Sequence, residues 1–116
     1  NQQSANAIPN LFARNERVIL FFDTEFGPMA LVLVGAMIVA SISTVFAGLV
    51  APNKIMLERL YSHTLEEKMS FKKGEEIAYF HLGSTVVALL GNKNIQWASS
   101  VTNAHSLLLG QLLAHV

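Results

Sequence analysis

The sequence predicts a mainly β protein, a compact barrel- or sandwich-like domain of short strands. A long charge-free stretch, residues 27–53, is rich in β-branched side chains, which favour strands. Glycines divide that stretch into pieces of strand length, and other short apolar runs end in turn residues. The chain has 116 residues, of which 52% are hydrophobic and 14% charged, so it suits one small domain with a buried core.

The first strand is predicted in the apolar run Glu16–Phe22, ending at Asp23-Thr24. A turn is predicted at Phe26–Pro28, where glycine and proline adjoin.

The charge-free stretch from Gly27 to Asn53 predicts two or three buried strands, because Gly35 and Gly48 divide it and residues 40–46 nearly alternate. Its length would also allow one helical membrane span near residues 28–50. A small single-span membrane protein therefore stands as an alternative.

The second half mixes strand-like and polar segments. Ile77–Phe80 and Thr85–Leu90 are predicted strands, and a turn is expected at Gly91–Asn94. Lys54–Tyr61 fits a helical turn or an outer strand, and Ser62–Glu76 a solvated loop or hairpin tip.

The tail from Ile95 to Val116 alternates between strand-like and loop-like pieces, and Leu107–Gly110 could be helical.

Composition excludes several kinds of chemistry. Eight basic and eight acidic residues give no positive excess, so nucleic acid is not an expected partner. There is no cysteine, which removes disulfides, zinc thiolates and thiol nucleophiles. No metal site is predicted, because the histidines form no HxH or HxxxH pair; they are His63, His81, His105 and His115.

The remaining candidate for chemistry is the run Leu82-Gly83-Ser84-Thr85 between two predicted strands. Alone, Gly-Ser is a common turn dipeptide. A non-catalytic β-barrel module, in which this run is only a turn, is therefore a second alternative.

Several segments nevertheless resemble bacterial-type phosphatidylserine decarboxylases, in that family's order and at about its spacing. They are Asn10–Val18 (NLFARNERV), Phe22–Met29 (FDTEFGPM), Val34–Ala36, Lys73–Glu76 followed by Phe80–Val86 (FHLGSTV), and Gly110-Gln111. The resemblance covers almost the whole chain and implies that it is a fragment of a larger decarboxylase fold.

The resemblance implies autocatalytic cleavage between Gly83 and Ser84, with the Ser84 hydroxyl as nucleophile. Residues 1–83 would end the β chain and residues 84–116 would form the α chain, together the C-terminal part of one catalytic domain. The covalent cofactor would be a pyruvoyl group derived from Ser84, which forms a Schiff base with phosphatidylserine. Decarboxylation then gives phosphatidylethanolamine and CO2.

The family's self-cleavage base is a histidine supported by an aspartate, both upstream of these segments. None of the four histidines matches that base, and Asp23 does not match the aspartate, so the fragment alone is expected to be inactive. Position 43 is serine where the resemblance implies an acidic residue.

The implied partners are phosphatidylserine, the membrane surface and the paired α and β chains, with a homodimer as a further candidate. The implied location is peripheral, on the cytoplasmic face of the bacterial cell membrane.

Overall fold

The computed structural model describes residues 15–36, 41–51 and 69–116, and these form strands and turns without a helix. The prediction of a mainly β chain is therefore confirmed. The expectations for Lys54–Tyr61 and for the first part of the loop, residues 62–68, lie outside the described residues. So does the lead-in before Asn15.

The strands form three small sheets. Their orders are β1-β2-β6, β4-β3-β5 and β7-β8. The bounds are β1 Arg17–Thr24, β2 Gly27–Gly35, β3 Ser41–Thr44, β4 Gly48–Ala51, β5 Ala78–Leu82, β6 Ser84–Leu90, β7 Gln96–Trp97 and β8 Ala114–His115.

The chain divides into two compact units, Asn1–Val18 with Val32–Val87, and Ile19–Leu31 with Ala88–Val116. Among the described residues, the buried apolar side chains of the first unit are Leu33, Val34 and Ile42; those of the second are Ala30 and Ala98.

The β3 strand is the centre of its sheet. It pairs antiparallel with β4 on one side and with β5 on the other. Ile42 is completely buried in this central strand. The register shifts beside Ile42 in both pairings, as β-bulges do.

The hairpin between β1 and β2 turns one residue earlier than expected. The turn occupies Glu25 and Phe26, and Gly27 with Pro28 already belongs to β2. The Thr24 side chain explains the shift, since its Oγ1 donates to the Gly27 carbonyl at 2.6 Å and accepts from the Phe26 amide at 3.2 Å. Gly27 adopts a φ of 109°, which favours glycine at this position.

The described part of the charge-free stretch forms β2, β3 and β4, which confirms the expected number of strands. Buried residues lie in β2 and β3, whereas Leu49 of β4 is 63% exposed, so the expectation of burial does not hold for β4. Within residues 15–36, 41–51 and 69–116, no helix is long and apolar enough to cross a membrane. The described part of residues 28–50 forms strands and a turn, which does not favour the alternative of one helical membrane span there.

The tail is also not helical. Leu108 to Gln111 forms a turn, closed by a hydrogen bond from the Gln111 amide to the Leu108 carbonyl at 3.0 Å. The Gln111 Oε1 accepts from the Leu108 amide at 2.9 Å, and Gly110 has a φ of 81°. A positive φ at this position ends any helical continuation, which is why the leucine run does not form a helix.

Candidate functional site

The Gly83–Ser84 peptide lies at the junction of two strands. β5 ends at Leu82 and β6 begins at Ser84, so Gly83 alone separates them. Gly83 has a φ of 53°, in the left-handed region that side chains disfavour. Ser84 is exposed at the start of β6. The junction therefore combines an unusual backbone conformation with an accessible hydroxyl.

Gly83 is also confined by a neighbouring side chain. A Cβ atom added to Gly83 would lie 2.9 Å from the Cβ of Ala36, closer than carbon atoms normally approach. Position 83 therefore excludes a side chain for both conformational and steric reasons.

The backbone beside Ala36 is held by residues that precede β1. The Gly35 amide donates to the Glu16 carbonyl at 2.9 Å, and the Asn15 Nδ2 donates to the Gly35 carbonyl at 2.9 Å. The Asn15 Oδ1 is buried and has no hydrogen-bond partner among the described residues. These contacts fix the backbone next to Ala36, the residue against which Gly83 packs.

A hydrogen-bonded pair of polar side chains lies on the sheet formed by β3 and β5. The Ser43 Oγ and His81 Nε2 atoms are 2.9 Å apart and share a hydrogen bond, whose direction depends on the imidazole tautomer. Ser43 is only 4% exposed, so this bond satisfies a buried hydroxyl. The Tyr79 ring packs near the imidazole with centroids 5.0 Å apart and planes tilted by 58°.

A β-bulge places His81 beside Ser43. Ile42 pairs with Phe80 and Ser41 pairs with Leu82, so His81 is the extra residue on β5. Bulges redirect a side chain out of the regular alternation.

This polar group lines an open cavity of about 520 Å³, formed by Ser41, Ser43, Gly48, Leu49, Tyr79 and His81. The cavity belongs to the first compact unit, as does the Gly83–Ser84 junction. A second depression of about 410 Å³, in the other unit, has a mostly apolar lining that includes Phe21, Met29 and Leu90.

The candidate residues from the sequence are placed as follows. Gly83 and Ser84 lie at the junction between β5 and β6. His105 and His115 are exposed, His115 in β8, and Asp23 is exposed in β1. His63 lies outside the described residues.

Sequence reasoning did not find the Ser43–His81 pair. Ser43 stood out only as an unexpected serine and His81 only as a neighbour of the junction. Their partnership depends on strand pairing and on a bulge, which no local pattern predicts.

Residues 1–115 match the family model for phosphatidylserine decarboxylase. The chain belongs to this family. It is 51% identical over 115 residues to the phosphatidylserine decarboxylase proenzyme of Pseudomonas putida (strain GB-1), covering 98% of this chain and 40% of that protein. The proenzyme of Ectopseudomonas mendocina (strain ymp) is 50% identical over 116 residues, with coverages of 99% and 41%.

A phosphatidylserine decarboxylase proenzyme from Pseudomonas fluorescens (strain SBW25) is 49% identical over 115 residues, covering 98% of this chain and 40% of the relative. The chain thus spans about 40% of the length of the curated relatives that it matches. This decarboxylase family is the one that the sequence motifs had indicated.

Proposed function

We propose that the full protein decarboxylates phosphatidylserine to phosphatidylethanolamine and CO2, and that it is made as a precursor cleaved between Gly83 and Ser84. Family membership supports the activity, and the name proenzyme, which the relatives carry, supports the cleavage. The observation that carries the proposal is the junction itself, where a positive-φ glycine confined by Ala36 precedes an exposed serine.

The first step of the proposed cleavage exchanges an amide for an ester. The Ser84 Oγ adds to the Gly83 carbonyl carbon, the carbon–nitrogen bond breaks, and the Ser84 nitrogen takes up a proton as a free amine. Because Gly83 lacks a Cβ, nothing on that residue blocks the hydroxyl, and glycine adopts the left-handed conformation of the junction without steric cost. A base must remove the hydroxyl proton.

The second step breaks the ester. Loss of the Ser84 α-proton and of the Cβ–Oγ bond releases Gly83 as a carboxylate that keeps the serine oxygen. The remaining enamine takes up water and loses ammonia, which leaves a ketone at the former Ser84 Cα. Residues 1–83 would end the β chain and residues 84–116 would form the α chain of one catalytic domain.

The residues present fit a pyruvoyl group at position 84. Position 84 is exposed at the start of β6, where a substrate amine can reach it. A pyruvoyl group supplies the electron sink that loss of CO2 from an α-amino acid requires.

We further propose a peripheral position on the cytoplasmic face of the bacterial membrane, because phosphatidylserine resides in a bilayer. The tail supports this proposal. Residues 94–116 contain no Asp, Glu, Lys or Arg. The turn at Leu108–Gln111 exposes apolar side chains at its tip, where Leu109 is fully exposed. Apolar tips of this kind gain free energy by entering the interfacial region of a bilayer.

Mass spectrometry of the full-length protein after expression tests the proposal. The expected products are two chains, one ending at Gly83 and one beginning with a pyruvoyl group that borohydride reduces. An intact chain in protein that decarboxylates phosphatidylserine would refute the cleavage mechanism and favour the turn interpretation of Leu82–Thr85.

A further inference from the structure

We propose that Ser43 and His81, with Ser41 and Tyr79 beside them, form the subsite that binds the phosphate of the phospholipid headgroup. This inference rests on the proposed function and adds to it a place for the substrate's anionic group.

The cavity lining has the chemistry that a phosphate requires. Ser41 contributes a hydroxyl and Tyr79 a phenol, and each can donate a hydrogen bond to a phosphate oxygen. In the tautomer in which the Ser43 hydroxyl donates to Nε2, the Nδ1–H of His81 can donate a third. The other lining residues are Gly48 and Leu49, so no carboxylate among the lining residues repels an anion. Two hydroxyl groups and one imidazole N–H therefore give this lining three hydrogen-bond donors.

The imidazole is held in place rather than free to rotate. Its Nε2 shares the 2.9 Å hydrogen bond with the buried Ser43 hydroxyl, and its ring packs against Tyr79. Since Ser43 bonds the Nε2 atom, the Nδ1 atom is available to a ligand. Prior positioning of a donor lowers the entropy lost on binding.

The cavity is open to solvent, as a site for part of a lipid must be.

The distance to Ser84 is compatible with one substrate molecule. His81 precedes Ser84 by three residues, which limits the separation of their Cα atoms to roughly 10 Å. Ser41 pairs with Leu82, the residue immediately before Gly83. In phosphatidylserine, the phosphorus lies only a few bonds from the amine that must reach position 84.

Direct binding provides the first test. The full-length Ser84→Ala precursor, which cannot be cleaved, is titrated with glycerophosphoserine and monitored by phosphorus NMR. His81→Leu in this background should weaken binding by about tenfold, because a hydrogen bond to a charged group is lost. His105→Leu is the matched control, since His105 is also an exposed histidine and lies outside the cavity lining. Equal affinities in the two variants would overturn the subsite.

Kinetics of the cleaved full-length enzyme provide the second test, with phosphatidylserine in detergent micelles. His81→Leu should raise KM by about tenfold and leave kcat within about twofold, whereas His81→Gln, which keeps a donor, should recover part of the loss. Ser43→Ala should raise KM by a smaller factor, because the imidazole loses its anchor. A fall in kcat with KM unchanged would contradict phosphate binding at this place.

Titration with inorganic phosphate shows whether the subsite recognises the phosphate alone or the whole headgroup. If His81→Leu weakens binding of both probes alike, the subsite recognises phosphate itself, as proposed. If the wild-type protein neither cleaves nor decarboxylates but still binds glycerophosphoserine through His81, the proposed function is wrong and the phosphate subsite stands.

Discussion

Gly83 and Ala36 approach so closely that a methyl group on Gly83 would place two Cβ atoms 2.9 Å apart. Gly83→Ala should therefore slow self-cleavage of the full-length precursor by more than tenfold, since both the positive φ and this contact oppose a side chain. The rate is measured by following the uncut precursor on denaturing gels after synthesis.

Two further variants show whether the positive φ or the contact with Ala36 is what slows cleavage. Gly74 also has a positive φ, of 87°, but a Cβ there would meet nothing within 4 Å. Gly74→Ala should lower the free energy of unfolding by about 1 kcal/mol and leave cleavage unchanged. Ala36→Gly in the Gly83→Ala background should restore part of the cleavage rate. Wild-type cleavage by Gly83→Ala itself would contradict the role of this contact.

Ser84 is predicted to be indispensable for both processing and catalysis. Ser84→Ala in the full-length protein removes the nucleophile and the source of the pyruvoyl group, so the precursor should stay intact and inactive. Ser99→Ala serves as the control, because Ser99 is an exposed serine in a turn. Intact mass and CO2 release are the two measurements. Any cleavage at position 84 in Ser84→Ala would contradict the serinolysis step.

Ile42 should be a major contributor to the stability of the sheet β4-β3-β5. It is completely buried, and Ile42→Ala should lower the free energy of unfolding of the full-length protein by about 2 to 5 kcal/mol. Ile19 is 48% exposed, so Ile19→Ala should have a much smaller effect. Urea denaturation followed by tryptophan fluorescence measures both. Similar losses for the two variants would show that Ile42 is not a core residue in the full protein.

The leucine turn should contribute to membrane binding. Leu109 is fully exposed at the tip, and each leucine that enters the interface contributes up to about 1.5 to 3 kcal/mol. Leu109→Asp should weaken binding of the full-length enzyme to phosphatidylserine vesicles by about tenfold, as measured by co-sedimentation.

The control for that change is Asn103→Asp, which adds the same charge at another exposed turn position in the tail without removing apolar surface. It should leave vesicle binding nearly unchanged. If Leu109→Asp instead destabilises the soluble protein with no loss of vesicle binding, the turn packs against the rest of the protein rather than against lipid.

Local patterns predicted the strands well where sequence neighbours decide the conformation. The predicted bounds of β1, β5 and β6 agree with the structure to within two residues. Gly35 marks the end of β2, and Gly48 marks the start of β4. The turn after β1 was displaced by one residue, because the Thr24 side chain bonds across it. The leucine run in the tail did not become helical, because Gly110 takes a positive φ.

By itself, the sequence determined the mainly β class, the family and the Gly83–Ser84 junction, since these depend on side-chain type and order along the chain. Only the tertiary structure decided that Ala36 confines Gly83 and that Ser43 meets His81. These two contacts join residues 47 and 38 positions apart and depend on strand pairing and a bulge, which are set by packing of distant segments.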